Sequence, residues 1–163
     1  MMKTAVCTGS FDPVTVGHMD IFKRAAGLFD MVYVAVLANS AKKCAFTPAE
    51  RCDMINRAAE AEGIANLRAE AYEGLAVDYA REKKACAIVR GIRNEADLAY
   101  ETGMGLANKH LAREIETVYL YADPGLSFIS SSLVKEVVSF GKDIDGLVSD
   151  AIKNKIAERL IER

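Results

Sequence analysis

Short apolar runs alternate with longer amphipathic stretches along the chain: TAVCT, 17–29, MVYVAVLA, 47–62, NLRAEAY, 75–84, ACAIVRG, 94–113 and IETVYLYA. That order is βαβα. Runs such as MVYVAVLA and ACAIV lack strict polar alternation, as expected of strands covered on both faces of a parallel sheet. The sequence therefore predicts an α/β fold, a Rossmann-like doubly wound parallel sheet with flanking helices. Beyond residue 129 the pattern is purely helical, from SSSLVKEVVSF through Gly141 to DAIKNKIAERLIER, which predicts a helical C-terminus.

With 163 residues and 51% apolar composition, the chain can bury one core and is short for two, so a single domain over 1–163 is expected. No internal repeat, low-complexity tract or linker interrupts it. The formal net charge of -2 is spread over interspersed acids and bases. Nothing resembles a basic stripe, so nucleic acid is not an expected partner and any anion must be held locally. Cys7, Cys44, Cys52 and Cys86 lie far apart without a C-x-x-C pair, which suits a reduced cytoplasmic protein. The longest apolar run is far below a bilayer span and the N-terminus turns polar by Thr8, so neither a signal peptide nor a membrane anchor is expected.

Local punctuation supports the helices. Thr47-Pro48-Ala49-Glu50 is a capping box with proline in the first turn, which accounts for Thr47 and Glu50 without any chemistry. Arg81-Glu82-Lys83-Lys84 ends a helix and reads as a solvated face offsetting the dipole. His110 lies inside a long helix and reads as a surface or packing residue.

In an open α/β sheet, ligands bind beyond the carboxyl ends of the strands. The loops expected there are GSFDPVTVGH, ANSAKKCAF, RGIRNEAD and DPGLSFISSSLVK. They bring His18, Lys42, Lys43, Arg90 and Arg93, with the hydroxyls of Ser10, Ser127, Ser130, Ser131 and Ser132, to one edge. Two loops end at predicted helix N-termini, near Gly17-His18 and Ser130–Ser132, where free N–H groups favour an anion. Arg90 and Arg93 follow a buried strand and suit bidentate phosphate contact. That edge reads as a phosphate site. Neither G-x-x-x-x-G-K-[ST] nor G-x-G-x-x-G is present, so neither a Walker cradle nor the dinucleotide fingerprint explains it.

Assembled in order, these loops resemble those of the bacterial phosphopantetheine adenylyltransferases, within the nucleotidyltransferase superfamily marked by [HT]-x-G-H. Here that motif is Thr15-Val16-Gly17-His18, and the likeness continues through KK, FT..ER, RGIRNEADLAYE and SFISSSLVKEV. The resemblance implies transfer of an adenylyl group from ATP to 4′-phosphopantetheine, giving dephospho-coenzyme A and pyrophosphate. It also implies catalytic roles for His18, Lys42 and Arg93, and phosphopantetheine contacts from Ser10, Lys42, Ala76 and Arg90. ATP would be held by Ser10, Phe11, His18, Gly91, Ile92, Arg93, Glu101, Leu126, Ser127, Phe128, Ile129, Ser130, Ser131 and Ser132. Mg²⁺ would accompany the triphosphate with no metal site of the protein's own. Coenzyme A is implied as a feedback ligand, and a homohexamer, a dimer of trimers, as the assembly. Departures from the family pattern are Leu126, where an aromatic is frequent, and Ala76, where a bulkier side chain is common.

Two other readings compete. A related nucleotidyltransferase acting on nicotinate mononucleotide or glycerol phosphate would share the first motif, but RGIRNEAD and SFISSSLVK favour phosphopantetheine. A non-catalytic nucleotide-sensing module would not need His18, Lys42 and Arg93 together.

Overall fold

The computed structural model describes residues 2–37 and 44–161. Lys42 and Lys43 fall outside them. Strands β1 (Thr4–Gly9), β2 (Met31–Leu37), β3 (Leu67–Tyr72), β4 (Ala87–Ile92) and β5 (Glu116–Tyr121) alternate with helices α1 (Val16–Leu28), α2 (Pro48–Ala61), α3 (Ala76–Glu82) and α4 (Glu95–Leu111). Helices α5 (Ser131–Ser139) and α6 (Asp150–Ile161) follow. All pairings are parallel and the sheet order is β3-β2-β1-β4-β5. The predicted doubly wound sheet and helical C-terminus are both present.

Period-two geometry divides the central strands between two cores. Ala5 and Cys7 of β1, Val32, Val34 and Val36 of β2, and Val89 of β4 face one core with Met19, Phe22, Met54, Ile55, Val134 and Ile156. Val6, Ala35 and Ile88 face the other, beneath Val77, Tyr79 and Ala80 of α3. This two-sided burial is why these strands carry no polar alternation. β5 differs, because it is an edge strand whose residues are only half-buried or exposed. Truncating a buried anchor such as Phe22 would cost about 3–5 kcal/mol, through lost transfer energy and the cavity left behind.

Helix starts follow the local chemistry. Thr47 caps α2 with Glu50 reaching back, as expected. Asn94 caps α4 and Ser130 caps α5, each accepting the backbone N–H three residues on. Of the run that ends α3, Arg81 and Lys84 are exposed as expected, Arg81 pairing with Glu114, whereas Lys83 departs from expectation. The Lys83 side chain is 18% exposed, its Nζ 2.5 Å from Glu70 and its charge lying over the rings of Tyr33 and Tyr79. Burial of its stem between aromatic faces, not solvation, fixes that side chain.

Candidate active site

β1 leads to β2 on one side, whereas the chain returns from β3 across β1 to form β4 on the other, so the β1/β4 seam is the topological switch point. A cavity of about 350 Å³ opens there. Thr8 and Gly9 of β1 and Val89, Arg90 and Gly91 of β4 form its base, and its walls come from the β1–α1 loop and the starts of α1, α4 and α5. Cys7 also reaches it, but burial pushes its thiol up to about 12, which leaves it unreactive.

Close packing shapes the β1–α1 wall. Phe11 has a left-handed backbone, φ 48°, and its ring folds back so that a Cβ on Gly9 would meet it at 2.8 Å. Glycine is required there by that approach. The same ring meets His18 edge-on, with centroids 5.1 Å apart. On the β4 side, a Cβ at Gly91 would meet Ile21 at 3.0 Å, so α1 lies close over the strand end.

His18 is the third residue of α1 and closes a capping box. Its backbone N–H donates to Thr15 Oγ1, while Thr15 N–H donates to His18 Nδ1 at 3.1 Å. An Nδ1 that accepts a backbone N–H carries no proton, so in the neutral ring Nε2 does, and the imidazole presents a donor. Enclosure of the ring, followed by the charges of Arg93 and Arg90, pulls its pKa from 6.5 down to about 4. At neutral pH His18 is therefore an uncharged, oriented hydrogen-bond donor rather than a cation.

The arginines opposite are held by carboxylates. Arg90 donates bidentately to Glu101, Nε to Oε2 at 2.7 Å and Nη2 to Oε1 at 2.6 Å, and its Nη1 bonds Thr8 Oγ1 at 2.8 Å and the Thr8 carbonyl. Arg93 grips Asp97, one helical turn on, at 2.8 and 3.2 Å. The Asp97 carboxyl is held below its usual range by the Arg93 bonds, and the Arg93 guanidinium above its own by Asp97. These forks aim planar donors, and an entering phosphate must share or displace the carboxylates.

The α5 wall is tied to the first loop. Ser131 Oγ donates to the Pro13 carbonyl at 2.7 Å, and Val16 N–H donates to the Leu147 carbonyl at 3.0 Å. Asp12 is a second tie, its buried carboxylate accepting N–H groups of Ala45 and Phe46 and a 3.2 Å contact from Lys135.

Most of the residues anticipated from sequence come together. Ser10, Phe11, His18, Arg90, Gly91, Arg93, Glu101, Leu126, Ile129, Ser130, Ser131 and Ser132 all line the cavity. Four described ones do not. Ile92 is buried beside it, Ser127 turns its hydroxyl to the Pro124 carbonyl, Phe128 is 65% exposed, and Ala76 packs against the core under α3. Lys42 lies outside the described residues. Thr8, Thr15 and Asp97 join the lining unanticipated. The Thr15-x-x-His18 and Arg93-x-x-x-Asp97 spacings were the available signals for the latter two, because both are helix-neighbour distances.

Among the described residues no group of three or more His, Cys, Asp or Glu side chains could hold a metal ion. The acids in the cavity, Asp97 and Glu101, are each engaged by an arginine. This donor set fits a magnesium ion carried by phosphate oxygens and water better than a protein-built cage.

A doubly wound parallel sheet with two helix N-termini and paired arginines around its switch point defines the α/β proteins that handle nucleotides through their phosphates. Residues 6–137 match the cytidylyltransferase-like family. The chain is 47% identical to the phosphopantetheine adenylyltransferase of Shouchella clausii over 96% of its own length and 98% of that protein. It is 44% identical to the phosphopantetheine adenylyltransferase of Bifidobacterium longum over 99% and 96%. The crystal structure of a bifunctional NMN adenylyltransferase/ADP ribose pyrophosphatase from Francisella tularensis shares the fold, with TM-score 0.76 and 16% identity over 97% of this chain and 49% of that one. The chain belongs to the cytidylyltransferase-like family and, within it, to the phosphopantetheine adenylyltransferases.

Proposed function

We propose that this chain transfers the adenylyl group of ATP to the phosphate of 4′-phosphopantetheine, forming dephospho-coenzyme A and pyrophosphate in coenzyme A biosynthesis. The observation that carries this reading is the near full-length kinship with phosphopantetheine adenylyltransferases.

An acceptor phosphate is already an anionic nucleophile, so the reaction needs aim more than deprotonation. One of its oxygens bonds to the α-phosphorus, and the bond to the bridging oxygen breaks with its electron pair leaving on pyrophosphate. Charge grows on the α-phosphate oxygens and on the leaving group. The His18 Nε2–H, Arg93 and the N-terminus of α5 are suited to meet that charge, and fixed donors of this kind favour the transition state over the ground state. Arg90 would grip the acceptor phosphate with Lys42, and the ATP base side would rest on Leu126 and the Ile129–Ser132 segment. Mg²⁺ bound to the triphosphate would neutralise its charge.

The assay supplies ATP and Mg²⁺ with phosphopantetheine, nicotinate mononucleotide or glycerol phosphate in turn and measures pyrophosphate. Release with phosphopantetheine alone is expected, and none with that acceptor refutes the reading. Feedback by coenzyme A, which shares the pantetheine arm, belongs to the same proposal, as does a cytoplasmic location. No described helix is long and apolar enough to cross a membrane. Assembly as a homohexamer accords with exposed Tyr100, Met104, Leu106 and Leu111 on α4, and light scattering measures it.

A further inference from the structure

Arg51, in the first turns of α2, is only 2% exposed, yet among the described residues no carboxylate lies within ion-pair distance of it. Its Nη1 donates to the Ser10 carbonyl at 2.6 Å and its Nε to the Thr47 carbonyl at 3.4 Å. A guanidinium buried without a counter-charge is costly to the folded state.

The carbonyl it grips belongs to a particular peptide. The Ser10–Phe11 bond is trans, so the Phe11 N–H leaves the side of the peptide opposite to the oxygen drawn toward Arg51. Among the described residues no protein acceptor meets that N–H, and both residues line the cavity. Phe11 also holds φ at 48°, a backbone region that bulky residues enter only where their surroundings enforce it. A buried cation without a counter-charge, a backbone donor without a protein acceptor and a strained residue thus meet at one peptide.

We infer that Arg51 is a positioning residue: it clamps and polarises the Ser10–Phe11 peptide so that the Phe11 N–H serves as a fixed donor to a phosphate oxygen of bound ATP. The anion then supplies at a distance the counter-charge that Arg51 lacks, and the arginine strengthens the donor through the peptide dipole without touching substrate. This rests on the adenylyl-transfer reading above and adds a supporting residue to its site.

The test uses the full chain and the variants Arg51→Met, which keeps bulk without charge, and Arg51→Lys, which restores charge without the fork. In wild type the Phe11 amide proton resonance moves downfield when MgATP is added without acceptor. It moves less in Arg51→Met. With phosphopantetheine, Arg51→Met loses roughly 10–100-fold in kcat, the range for removing a group that orients a site, while the KM for ATP stays within about threefold. Arg51→Lys regains part of that kcat. An unmoved Phe11 amide in wild type overturns the inference, as does a folded Arg51→Met with kcat within about threefold of wild type, or an Arg51→Lys no better than Arg51→Met. Should Arg51→Met fail to fold, Arg51→Lys decides: a downfield movement smaller than in wild type supports the clamp, and an equal one overturns it. Failure of wild type to use phosphopantetheine refutes the proposed acceptor alone, because the amide response needs only ATP.

Discussion

The two walls of the cavity are built on different physics. The wall from Gly9 to His18 is set by bonds to and from the backbone, with Arg51 on the Ser10 carbonyl, Ala45 and Phe46 on Asp12, Ser131 on the Pro13 carbonyl and Thr15 on the His18 ring. The wall from Arg90 to Glu101 is set by side-chain ion pairs. Breaking the first undoes packing, so its donors come pre-aimed with the fold. In the second, a ligand phosphate would have to compete with a carboxylate for each guanidinium, so charge there can be exchanged. A reaction that must aim one phosphate at another benefits from one wall that holds still and one that yields.

The sharpest way to break this contrast is His18→Ala. It should lower kcat by roughly 10²–10³-fold, the cost of removing one preorganised donor, with the KM for ATP changed by less than about threefold. Steady-state pyrophosphate release checks it, and a loss falling mainly on KM would place His18 with the exchangeable wall. Arg90→Ala should act the other way, raising the KM for phosphopantetheine by roughly 10–100-fold, because a hydrogen bond to a charged group is lost while the first wall stays intact. Asp97→Asn removes the carboxylate competing for a partly exposed Arg93, so ATP should bind about threefold tighter by calorimetry, an effect that fades as salt is raised.

The smallest expected effect is a missing one. Because the His18 ring stays neutral until about pH 4, kcat/KM for ATP should show no histidine inflection near 6.5, and the ring should titrate near 4 by NMR. The linkage has a definite sign. A folded pKa depressed below the unfolded value leaves the neutral ring's contribution to stability complete above about 6.5 and lost as pH falls toward about 4. A ring titrating at its ordinary value would mean that the wall does not enclose it.

Nearly every element was legible in the sequence, because caps and periodicities are local: Thr47 with Glu50, Ser130, and the unalternating runs of β1, β2 and β4 each signal their own structure. The loops at the strand ends were legible for the same reason, and most of the residues expected to line a site do line the cavity. Tertiary partnership was not legible. Only the family resemblance brought Glu101 to the site, and its fork onto Arg90 depends on how α4 lies over β4. Arg51 reaches Ser10 across 41 residues, which no spacing rule reports. The neutrality of His18 follows from enclosure by Phe11 and the nearby arginines, and Ala76 follows the core beneath α3 instead of the cavity. Lys83 looked solvated because a run of charges hides the aromatic faces that receive one of them.

The ties from the first loop to α5 span 118 residues between Ser131 and Pro13, and 123 between Lys135 and Asp12. A nascent chain emerging from the ribosome can pair its early strands long before those helices exist. The ties that hold the first loop therefore arrive late in synthesis, and a polypeptide released before Ser131 would lack both latches on the loop that forms the first wall of the cavity.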